Sequence, residues 1–141
     1  MTIRTVADVM TSEVVAVSAD ATVTAAAQQM REHHIGDVLV VEDGSLVGMV
    51  TDRDLAVRVL AEKRDPSATP VREISSAALV SVGSGVPTND AVELMRAAAI
   101  RRLPVVTEGQ HPIGIVSIGD LAMAHDERSA LAGISAALPN T

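Results

Sequence analysis

The stretch L-V-G-M-V-T-D-R-D-L, Leu46 to Leu55, decides how the chain folds, because it occurs twice. At Ile113 to Leu121 the chain reads I-G-I-V-S-I-G-D-L, so Gly48, Thr51, Asp54 and Leu55 return as Gly114, Ser117, Asp120 and Leu121, each 66 positions later. Both copies run from an apolar strand into a hydroxyl residue and then into a carboxylate three places on. This is the pattern of a strand ending where a helix begins, and the unpaired N–H groups of a helix start favour anions.

Working outward, the repeat extends over most of the chain. At an offset of 65, Val6, Asp8 and Val9 meet Val71, Glu73 and Ile74; Val15 and Val17 meet Val80 and Val82; Ala26 and Met30 meet Ala91 and Met95; Ile35, Val40 and Val41 meet Ile100, Val105 and Val106. One extra residue in a turn near His111 changes the offset to 66, which places a tolerated insertion there. In the first copy, Val14 to Val17 is a short apolar run of strand type. Thr22 caps a helix through His33, with Val23, Ala26, Ala27 and Met30 on one face and Gly36 as its stop. Val38 to Val41 reads as a strand covered on both faces, the E-D-G-S of Glu42 to Ser45 as a turn, and Leu46 to Val50 as the returning strand of a hairpin. A helix from about Asp52 to Glu62 buries Leu55 and Val59, with Ala56 and Leu60 as further candidates. Each half therefore reads strand, helix, strand, strand, helix.

These patterns divide the chain into a first motif (1–62), a linker with two prolines (63–70), a second motif (71–125) and a segment without a counterpart (126–141). In that last segment Asp126 caps an expected helix with Leu131, Ile134 and Leu138 on one stripe, either a lid on its own core or a dimer contact.

At 141 residues, two halves of this size are each marginal alone and are expected to depend on one another. The core holds no Phe, Tyr or Trp, so aliphatic residues and six Met must fill it, and any bound base would rest on aliphatic side chains. A net charge of −7 argues against a nucleic-acid partner. Cysteine is absent, which removes disulfides and thiolate metal sites. There is no apolar run of about 18 residues and no long apolar leader near Met1, so a soluble cytoplasmic protein without membrane association is expected.

The order of elements, the hairpin and the signature G-[MI]-V-[TS]-x-x-D-L together resemble the cystathionine β-synthase (CBS) domain, present as a tandem pair of the stand-alone bacterial type. The D-V-M-T of Asp8 to Thr11 and the R-R-L-P-V-V of Arg101 to Val106 are similar to further parts of that domain's pattern. The resemblance implies an α/β (α+β) fold of two βαββα motifs packed by pseudo-twofold symmetry, and a homodimer of pairs. It also implies clefts between motifs that hold adenosine-containing ligands such as AMP, ADP, ATP or S-adenosylmethionine, with the hydroxyl residue near phosphate and the Asp on the ribose.

Carried over by position, Thr51 and Asp54 serve one cleft and Ser117 and Asp120 the other. A carboxylate accepts from both hydroxyls of a ribose, and Arg53, Arg101 and Arg102 are the candidate cations for phosphate. The same hydroxyl–acid spacing is also that of a capping box, which would only start a helix. Leu39 and Asp37 stand where the second copy has Pro104 and Arg102, and an acid facing a cleft repels phosphate. The better ligand site is therefore expected at Ser117 and Asp120 with Arg101 or Arg102. Asp52 and Asp54 are a conceivable Mg²⁺ pair beside a bound nucleotide, but no residue is assigned to a metal. His33 and His34 are adjacent rather than spaced i, i+4, and the sequence sets no second ligand at metal-binding spacing from His111 or His125.

No nucleophile with an adjacent base is evident, so the expected function is a regulatory, non-enzymatic adenosyl-ligand sensor acting through conformation or an unidentified protein partner. The alternative is a ligand-free dimerisation or protein-interaction module. A third reading is an enzyme whose site forms only across a dimer.

Overall fold

The computed structural model describes residues 4–76 and 80–125, and the expected helix in 126–141 lies outside them. The elements are α1 (Val6–Val9), β1 (Ala16–Ser18), α2 (Val23–His33), β2 (Asp37–Glu42), β3 (Ser45–Thr51), α3 (Asp52–Asp54) continuing as a π-helix (Leu55–Leu60), a 3₁₀ turn (Val71–Glu73), α4 (Thr88–Ala98), β4 (Arg102–Val106), β5 (Pro112–Ser117) and α5 (Ile118–His125). The fold is mixed α/β, and the repeat is visible in it.

In the first copy β1 runs parallel to β2, and β2 pairs antiparallel with β3. The hairpin turn uses Asp43 and Gly44, both at positive φ (54° and 81°), the two-residue turn that matches strand twist. In the second copy β4 and β5 form the same hairpin. The first strand there shrinks to a single parallel bridge, Val82 to Val105. The second turn is one residue longer: Thr107 N–H donates to His111 O at 3.0 Å around residues 108–110, with Gln110 at φ 66°. That is the insertion expected near His111. Both hairpins slip register at the same place, Val40/Val41 and Val105/Val106.

Thr22 caps α2 as expected, accepting from Ala25 N–H at 3.2 Å. The helix does not stop through Gly36. His34 takes the left-handed conformation (φ 55°) and Ile35 N–H closes onto Met30 O, just as Ala99 (φ 55°) ends α4. The helix expected after Asp52 is the larger correction. Beyond one α-turn it widens to π, with Ala61 N–H bonding Ala56 O at 2.9 Å. Val59 is buried as expected and Leu55 half-buried, but Leu60 is 77% exposed and Ala56 is exposed too, so the inward stripe is narrower than the periodicity predicts.

Compact units do not follow chain order. One comprises residues 15–76, and the other joins 4–14 to 80–125. The segment ahead of each copy's first strand thus packs with the other copy. In the 15–76 unit, Ser76 bridges Met49 on β3; in the other, Thr11 bridges Ile115 on β5. These crossings explain the glycine of the signature. A Cβ on Gly48 would stand 2.9 Å from Ser76 O, and one on Gly114 2.9 Å from Thr11 O and 2.6 Å from Met10 Sδ.

Each unit has its own aliphatic core. Val38, Val40, Val50, Val59 and Met30 pack with Val71 and Ile74 in the first. Leu103, Val105, Val116, Leu121 and Met95 pack with Val6 in the second. The linker is ordered by α2: Val23 N–H donates to Thr69 O and Thr24 N–H to Pro66 O, so linker carbonyls satisfy orphan donors of the helix start.

Candidate functional site

Each strand-to-helix junction closes a full capping box. Thr51 N–H donates to Asp54 Oδ2 at 2.9 Å and Asp54 N–H to Thr51 Oγ1 at 3.1 Å. In the second copy Ser117 N–H donates to Asp120 Oδ2 at 2.8 Å and Asp120 N–H to Ser117 Oγ at 3.1 Å. Capping and ligand binding are not exclusive here. The box consumes one carboxylate oxygen and the acceptor role of the hydroxyl, leaving Oδ1 and the hydroxyl proton to other partners.

What lies beyond Oδ1 differs between the copies. In the first, Arg58 sits one turn after Asp54, its Nε 3.7 Å from Asp54 Oδ1, and its Nη1 donates to Ile74 O at 3.2 Å. The guanidinium therefore spans from the helix to the crossing segment. In the second copy the residue at that place is Ala124, and a cavity of about 200 Å³ opens there, lined by Arg4, Val9, Asp120, Met123 and Ala124. Its base is a half-buried carboxylate and its cation is the exposed Arg4.

The sequence-selected arginines are not gathered at this cavity. Arg102 is exposed at the start of β4 and opposes Ser117 in register, as the buried Asp37 opposes Thr51. Arg101 lines a separate apolar groove of about 370 Å³ with Val92, Met95, Arg96, Ile100, Ile118 and Leu121. Arg53 is exposed within α3. Asp52 N–H binds Gly36 O, and among the described residues no group of three or more His, Asp or Glu could hold a metal ion.

Two contributors escaped the sequence reading. Arg58 carried a readable signal, an acid–Arg pair at i, i+4 from Asp54. Arg4 carried none, because it lines the same cavity as Asp120 only through the crossing of the N-terminal segment.

Among the described residues no helix is long and apolar enough to cross a membrane. The profile of the CBS domain family matches residues 6–61 and 71–127. The chain is 46% identical over 118 residues to the CBS domain-containing protein YhcV of Bacillus subtilis, covering 84% of this chain and 83% of that one. It is similar to Hypoxic response protein 1 of Mycobacterium tuberculosis, at 35% identity over 84% of this chain and 82% of the relative. A crystal structure of that hypoxic response protein, with two coordinated zinc ions, superposes at a TM-score of 0.77 over 84% of this chain and 97% of that one, at 35% identity. The CBS domain pair of protein MJ0100, crystallised with 5′-methylthioadenosine and S-adenosyl-L-methionine, shares the fold at a TM-score of 0.79 and 22% identity, covering 91% of this chain and all (100%) of that one.

Proposed function

Because the chain belongs to the CBS-domain family and carries two CBS motifs in tandem, we propose that it is a regulatory, non-enzymatic module that binds an adenine nucleotide or related adenosyl ligand. The single observation that supports this reading is the cavity at Asp120. A capped carboxylate with a spare oxygen meets a guanidinium, Arg4, across about 200 Å³ of open space. A ribose diol on Asp120 Oδ1 and an anionic group on Arg4 or the Ser117 hydroxyl suit those partners. The volume is below the roughly 300–1,000 Å³ of a complete small-molecule pocket, so it serves as the sugar-and-anion subsite of a larger ligand. Arg102, opposite Ser117, is the next cation in reach of this copy, and Thr51, Asp54 and Arg53 are the corresponding first-copy residues, where ligand binding is expected to be weaker or absent.

Ligand binding to the folded state alone raises its stability by about 2.7 kcal/mol at a hundredfold excess over Kd. Thermal unfolding followed by far-UV circular dichroism, with AMP, ADP, ATP or S-adenosylmethionine at millimolar concentration, is expected to show an upward shift with at least one of them. No shift with any of the four would sink the reading. Asp120→Asn keeps an acceptor for Ser117 N–H but replaces the second oxygen with a donor, and it is expected to lose the shift while Asp54→Asn keeps it.

A second reading, an interaction module working as a homodimer in the cytoplasm, is favoured by the apolar groove beside Arg101 and by the exposure of Ile118 (56%) and Leu60 (77%). Sedimentation equilibrium of the wild type against Ile118→Asp and Leu60→Asp tests it, the wild type being expected to sediment as a dimer and a variant to dissociate.

A further inference from the structure

The repeat register lays the lining of the second-copy cavity over the first copy residue by residue. Val9 corresponds to Ile74, and Arg4 to Thr69, at an offset of 65; Asp120 corresponds to Asp54, Met123 to Val57 and Ala124 to Arg58, at 66. In the unit of residues 15–76, the ground between carboxylate, helix and crossing segment holds Arg58, whose Nε lies 3.7 Å from Asp54 Oδ1 and whose Nη1 donates to Ile74 O. In the other unit the same ground, between Asp120, Ala124 and Val9, is the cavity.

We propose that Arg58 is the chain's own occupant of the first carboxylate site, so that one of the two equivalent sites is closed by a side chain and only the Asp120 site is open to ligand. This rests on the ligand-binding function proposed above and adds its stoichiometry and its specificity-determining residue. Arg58 acts in two ways. Its guanidinium sets a positive charge 3.7 Å from the Asp54 oxygen that a ribose diol would need. Its side chain also runs from the helix to Ile74 O, across the ground that corresponds to the cavity beside Ala124 in the second copy. The π-helix contributes because it contains Arg58 and continues directly from Asp54, whereas α5 carries Ala124 on an ordinary α-helix. A duplicated scaffold has thus been made asymmetric by one residue four places after the repeated Asp.

The experiment is a stoichiometry measurement by isothermal titration calorimetry, titrating AMP, ADP, ATP and S-adenosylmethionine each into four proteins. The wild type is expected to take one ligand per chain, Arg58→Ala two, Ala124→Arg none, and the double variant Arg58→Ala/Ala124→Arg one, now dependent on Asp54. Arg58→Gln, which keeps most of the stem without the charge, is expected to fall between wild type and Arg58→Ala in affinity at the reopened site. Circular dichroism confirms that each variant is folded; should Ala124→Arg not fold, the wild type, Arg58→Ala and Arg58→Gln decide alone. Two ligands per wild-type chain, or a stoichiometry of one unchanged in folded Arg58→Ala and Arg58→Gln, would overturn the closure by Arg58 while leaving the ligand-binding function standing. Absence of binding to every protein, Arg58→Ala included, would overturn both.

Discussion

Ile74 and Val9 occupy the same place in the two copies, and they show where duplicated architecture has been kept and where it has diverged. Each lies on a crossing segment, just before the residues that pass over the signature glycine of a hairpin. Ile74 is 1% exposed and belongs to the core of its unit, and its carbonyl is held by Arg58. Val9 is half-buried and lines a cavity. The scaffold beneath is shared: glycine at the crossing, capping box at the junction, register slip in the hairpin. Among the differences between the copies, one bears on the carboxylates: what fills the gap between helix and crossing segment. Duplication here keeps the hairpin, the crossing and the capping box, and leaves the gap to be closed or kept open by side chains.

The most demanding test of that contrast is a pair of truncations. Ile74→Ala removes a buried side chain from a packed cluster and is expected to cost about 2–5 kcal/mol in urea unfolding followed by circular dichroism. Val9→Ala, at the edge of existing open space, is expected to cost less than about 1 kcal/mol. Equal losses would mean that Val9 is as tightly packed as Ile74 and that the cavity is closed in solution. The shared part of the scaffold is tested next. Gly48→Ala and Gly114→Ala each put a methyl 2.9 Å from a backbone carbonyl oxygen, of Ser76 and Thr11 respectively. Each is expected to cost roughly 1–3 kcal/mol, within about 1 kcal/mol of the other, because Met10 can swing aside but the carbonyl cannot. A large inequality would show that only one crossing is tight.

These residues also mark what the sequence could disclose. The hairpin, its one-residue insertion near His111, both capping boxes and the helix faces were legible because each depends on residues close in the chain: Asp43 and Gly44 for the turn, Thr51 with Asp54, Ser117 with Asp120. The crossing was not legible. Val6 and Val71 looked like equivalent leaders of their own copies, and nothing local distinguishes packing at home from packing with the other copy. With the crossing hidden, Arg4 could not be placed near Asp120. The π-helix is not legible because Leu55 and Val59, four residues apart, fit the 3.6 period as well as the wider one. Arg101 reads in the sequence as a cation for phosphate beside Ser117 and Asp120, but it lies just ahead of β4 and lines another groove.

The smallest expected effect sharpens the contrast most. Arg58→Ala removes an ion pair 3.7 Å long from a side chain that is 52% exposed, together with a bond to a backbone carbonyl. Exposed pairs of this kind contribute about 0.2–1 kcal/mol, and the carbonyl of Ile74 regains water when the guanidinium leaves. The variant is therefore expected to lose less than about 1 kcal/mol in urea unfolding, and that difference should shrink in 1 M NaCl as roughly 3 Å screening removes the ionic part. A loss above about 2 kcal/mol, insensitive to salt, would make Arg58 a strut that the first unit needs for folding. The copies would then differ in how they are held together rather than in which site is open. A small, salt-sensitive loss would show that the first unit folds without Arg58, so that the stoichiometry of Arg58→Ala reads the proposed closure rather than a folding defect.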